Sequence, residues 1–84
     1  MDRKDIEKHI IRIFEDEFEI EKPENDVDLR ETYGFDSIDA IELLAEIEGF
    51  LQFELTLDEK KQAMEIRTLN QIYDYVETLA KSKE

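Results

Sequence analysis

Apolar residues recur near the start of the chain at Ile6, Ile10, Ile13, Phe14 and Phe18, spacings of three and four that gather them on one side of a helix. The spacing predicts a helix from about Arg3 to Glu19 with a core-facing stripe. His9 falls at the edge of that stripe; with no second histidine and no cysteine in the chain, it is read as a boundary residue without a function. Lys22-Pro23-Glu24-Asn25-Asp26 is the expected stop, because proline disfavours helical conformation in the residue before it and asparagine and aspartate favour turns. From about Ile20 to Asp36 no helical period is visible. Val27, Leu29, Tyr33 and Phe35 in that stretch suit a long loop anchored across the helix ends.

A second helical period runs from Ser37 to Leu51. At about 100° per residue, Ala40, Leu43, Leu44, Ile47, Phe50 and Leu51 share one broad face, wide enough for a core stripe. Ile38, Ile41 and Ala45 lie on the opposite side, alternating with Glu42 and Glu48. Packing within one small domain gives no reason for that strip, so it is read as a docking surface. Gly34 permits a turn ahead of the helix, and Asp36 is a good N-cap with Asp39 three residues on, a near match to a capping box. Ser37 is then the first helical residue. Its hydroxyl is not needed for capping and sits at the helix end that favours anions.

Thr56-Leu57-Asp58-Glu59 has the capping-box spacing and opens a short helix ending near Met64. Thr68-Leu69-Asn70-Gln71 has it again, and Leu69, Ile72, Tyr73, Val76, Leu79 and Ala80 then repeat along one face, with Lys81 and Lys83 suited to the helix C-terminus. The expected fold is all-α: a four-helix bundle with a long loop between helices 1 and 2 and a short third helix.

Eighty-four residues are expected to form one domain, 1–84, with room for one core but not for a buried catalytic cavity as well. Charged residues make up 42% and the net charge is −13, yet three tyrosines, five phenylalanines and the regular apolar spacing argue for a folded, very acidic protein. Such a surface repels nucleic acid and anionic membranes and attracts basic protein patches. The absence of cysteine excludes disulfides, zinc–thiolate sites and any thiol of the chain's own. Met1-Asp2-Arg3-Lys4-Asp5 lacks the apolar run of a secretory signal and no stretch approaches membrane-spanning length, so a cytoplasmic monomer without stable membrane insertion is expected.

Several chemistries fail on the residues. Ser37 has no Gly-x-Ser-x-Gly elbow, and the chain's one histidine is on another helix, so a serine hydrolase is not expected. Asp26-Val27-Asp28-Leu29-Arg30 puts arginine where a calcium loop needs a ligand, with no glycine next, so no metal site is expected. With 24 acidic residues, chance carboxylate pairs abound and none is marked as catalytic. No catalytic residue is assigned.

Asp36-Ser37-Ile38, with Gly34 ahead and Asp39 and Glu42 after, resembles the phosphopantetheine attachment motif of acyl carrier proteins, usually written Gly-x-Asp-Ser-Leu. The resemblance extends to Ile6–Phe18, Ser37–Leu51 and Ile66–Val76, the family's first, second and last helices, and so covers nearly the whole chain. It implies a non-enzymatic carrier whose Ser37 receives 4′-phosphopantetheine from coenzyme A through a phosphopantetheinyl transferase. The arm would bear acyl or aminoacyl cargo as thioesters and present it to acyl ligases or synthases with basic docking patches. Asp36, Ile38, Asp39, Ile41, Glu42, Ala45 and Glu48 match positions where family members meet partners. Ile38 in place of leucine, Gly49 in place of an acid, the apolar Phe50, Leu51 and Phe53, and the segment after Leu55 depart from fatty-acid carriers. These departures leave a specialised lipid or secondary-metabolite pathway as open as fatty-acid synthesis. The alternative of another class is an acidic helical interaction module or inhibitor without a prosthetic group.

Overall fold

In the computed structural model, which describes residues 2–82, the chain runs through five helices: α1 (Arg3–Phe18), α2 (Leu29–Tyr33), α3 (Ser37–Leu51), α4 (Leu57–Ala63) and α5 (Leu69–Ser82). Asp2 starts α1 by accepting the Asp5 N–H at 2.9 Å. The helix ends where its period predicts, but for a different reason. Glu19 turns left-handed at φ 56°, and the N–H groups of Glu19 and Ile20 both donate to the Phe14 carbonyl, so the end is closed before Pro23 is reached.

The stretch from Ile20 to Asp36 is not loop throughout. Asp28 caps the single turn of α2 by accepting the Glu31 N–H at 3.0 Å, and Gly34 closes that turn at φ 70°. Five residues are too few for a 3.6-residue period to register, which is why the pattern hides this helix. The expected anchoring is present. Leu29 is buried, and Phe35 packs against Phe14 and Phe18 with ring centroids 5.4 and 5.3 Å away. The reciprocal caps at Thr56/Glu59 and Thr68/Gln71 both form and start α4 and α5.

The stripes then meet in one core. Ile6, Ile10, Ile13 and Phe14 of α1 face Leu69, Ile72, Tyr73, Val76 and Leu79 of α5, while Leu43, Leu44 and Ile47 close the third side from α3. Each fully buried side chain of this size contributes about 1.5–3 kcal/mol against its exposed state. Helix α1 packs chiefly on α5 and also touches α3, which carries α4. Arg3 adds a bond across the α1–α5 seam, donating to Asp74 at 2.6 Å above the Tyr73 ring. The Asp74 hydrogen bond raises its pKa further. Exposure keeps such a pair below about 1 kcal/mol. His9 is exposed and lies flat over Phe50, ring centroids 4.9 Å apart. Lys83 lies outside the described residues.

Candidate functional site

Ser37 opens α3. The Asp36 carboxylate accepts the Asp39 N–H at 3.0 Å and the Asp39 carboxylate accepts the Asp36 N–H at 3.2 Å, so the capping box is complete with aspartate at both ends. The Ser37 hydroxyl is thereby released from capping, and the residue is exposed. It accepts a long hydrogen bond from Arg30 Nη2 at 3.4 Å.

Arg30 reaches this place because α2 is sewn to the α4–α5 junction. The Leu29 N–H donates to the Arg67 carbonyl at 2.8 Å, the Asn70 N–H donates to the Asn25 carbonyl at 3.2 Å, and the Asn70 amide donates to the Asp26 carboxylate. Arg30, Arg67 and Ser37 consequently line one cleft. It has a volume of about 100 Å³ and a floor that includes Leu43, Leu44, Ile47 and Ile72. That is less than the roughly 150 Å³ of an apolar cavity able to take up benzene. Tyr75 stands in its wall, donating to the Glu59 carbonyl at 2.5 Å. Burial, reinforced by the Glu59 and Glu48 carboxylates, pushes its pKa up to about 12.

The strip on the far side of α3 is open. Ile38 is 75% exposed and Ile41 60% exposed, with Glu42 and Ala45 exposed beside them. Glu48 differs from its neighbours. It is half-buried, and its carboxylate accepts the Leu55 N–H at 2.8 Å, because a glutamate near the helix end can reach the free donors of the turn that follows. Asp39 is also half-buried and is held by the cap. Leu57 on α4 and Met64 just past its end are exposed as well, and neither carries a signal in the sequence, since one sits inside a capping box and the other at a helix end. Arg30 and Arg67 carry no periodic signal in the sequence that would mark them for this cleft.

An exposed hydroxyl on a helix start, a guanidinium beside it and an apolar cleft below are a set that fits a phosphoester-linked group. The family model described as the phosphopantetheine attachment site matches residues 8–76. The chain belongs to this family. Its domain, that of the acyl carrier proteins, is the place where 4′-phosphopantetheine is attached covalently. The group supplies a thiol that this cysteine-free chain lacks. Carrier domains of the family are non-catalytic and interact with phosphopantetheinyl transferases and synthase enzymes. No curated protein and no solved structure matched significantly. Among the described residues no helix is long and apolar enough to cross a membrane.

Proposed function

We propose that Ser37 is the attachment residue and that this chain is a carrier without enzymatic activity, holding acyl or aminoacyl groups as thioesters on the arm. The observation that carries this is the exposed Ser37 at the first position of α3, freed by the Asp36–Asp39 cap and opening onto the apolar cleft. The carrier acts as one domain spanning 1–84, as a cytoplasmic monomer. It serves fatty-acid synthesis or a specialised lipid or secondary-metabolite pathway. Ile38, Ile41 and Ala45 supply apolar contact to the transferase and to acyl ligases or synthases. Asp36, Asp39, Glu42 and Glu48 supply the field that draws in their basic patches. Glu48 does so at a distance, since its carboxylate is engaged with Leu55.

Co-expression with a broad phosphopantetheinyl transferase, followed by intact mass and peptide mapping, tests this. One arm on Ser37 and none in Ser37→Ala is the expected result. A label mapped to Ser82, or no label at all, overturns it; the second outcome is what an interaction module or inhibitor without a prosthetic group would give.

A further inference from the structure

Arg30 and Arg67 are the two cations in the wall of the cleft, in a chain whose net charge is −13. Among the described residues neither is ion-paired with a carboxylate. Arg67 donates from Nη1 to the Met64 and Ile66 carbonyls, both at 3.1 Å, which fixes its guanidinium at the rim without neutralising it. Arg30 donates from Nη2 to the Ser37 hydroxyl oxygen. That oxygen is the one that becomes esterified if Ser37 is the attachment residue, and the inference rests on that reading. A phosphodiester there adds a negative charge to a helix start that already carries the Asp36 and Asp39 carboxylates. The Arg30 guanidinium is already within reach of the ester oxygen and is built to bond two phosphate oxygens at once.

We propose that Arg30 is a positioning residue that holds the phosphodiester linking Ser37 to its arm, with Arg67 supplying the second positive charge at the cleft rim. The root of the arm is then directed over the cleft, and a partner's basic patch must compete with Arg30 to draw it away. Since α2 places Arg30 through backbone bonds and the buried Leu29, replacing the exposed Arg30 side chain leaves the placement itself intact.

The test uses the full chain with the arm installed enzymatically from coenzyme A and its mass verified. The ³¹P signal of the arm is compared in wild type, Arg30→Gln, Arg30→Lys and Arg67→Gln. In Arg30→Gln the line is expected to narrow and move toward that of a serine peptide bearing the same arm. Arg30→Lys should restore part of the shift, and Arg67→Gln should give a smaller change. In the wild-type chain the Arg30 Nε–Hε resonance should also shift between the unmodified and modified forms, a measurement that needs no variant. An unchanged ³¹P line in Arg30→Gln, or a larger response in Arg67→Gln, overturns the proposal. Failure to load wild-type Ser37 is seen in the mass alone and would instead overturn the function proposed above.

Discussion

The Glu48 carboxylate, near the end of α3, accepts the backbone N–H of Leu55 at 2.8 Å, bridging the turn that leads to α4. The donor belongs to a buried residue, so removing the acceptor strands an amide with little access to water. Glu48→Ala is expected to destabilise the fold by about 1–3 kcal/mol in urea unfolding, with Glu48→Gln milder because an acceptor oxygen remains. Glu42→Ala, on the exposed face, should stay within about 0.5 kcal/mol. Equal effects of the two alanine changes would show that the bridge does not form in solution.

Gly49 lies within α3, and nothing stands within 4 Å of where its Cβ would be. Glycine in a helix costs backbone entropy that alanine does not. Gly49→Ala should therefore raise stability by about 0.5–1 kcal/mol, read as a higher urea midpoint at unchanged slope. A loss of stability would place a neighbour in that space.

Ile41 and Leu43 separate contact from core. Leu43 is 5% exposed, and Leu43→Ala should cost about 2–5 kcal/mol of folding free energy. Ile41→Ala should leave stability nearly unchanged and instead speed dissociation from the transferase in surface-binding kinetics, because it trims an exposed apolar contact. Glu42→Lys should chiefly slow association, more so below about 0.1 M salt, where screening over about 10 Å is relaxed. Loss of folding in Ile41→Ala with an unaffected Leu43→Ala would reverse the helix phase.

Tyr75 links pH to stability. Its pKa is pushed up to about 12 in the folded chain, against about 10 for an unperturbed tyrosine. Between those values the folded state holds more of this proton than the unfolded state, so stability falls as pH rises. The contribution is fully present below about pH 10 and is lost on the way to pH 12. The measurement is the difference between wild type and Tyr75→Phe in melting temperature across that window. The gap should shrink as pH rises; a constant gap would leave the proton linkage without support.

Much of this protein is legible one residue at a time. Helices α1, α3, α4 and α5, their caps at Asp36, Thr56 and Thr68, and the two faces of α3 follow from local rules. Periodicity places Ile41 and Leu43 on opposite sides, and a side-chain oxygen three residues ahead of a free N–H finds it without help from the rest of the chain. The Gly34–Ser37 motif is likewise local, because what it needs is a turn and a helix start. Tertiary structure decided whatever depends on residues far apart in sequence. Leu29 donates to Arg67 across 38 positions, and that bond carries Arg30 to Ser37 and creates the cleft between them. Helix α2 itself is a single turn whose position depends on the anchoring of Leu29 and Phe35 in the core, so its own five residues carry too little pattern to announce it. Glu48 shows the same division: its spacing puts it on the strip with Glu42, and only the return of the chain at Leu55 turns its carboxylate inward.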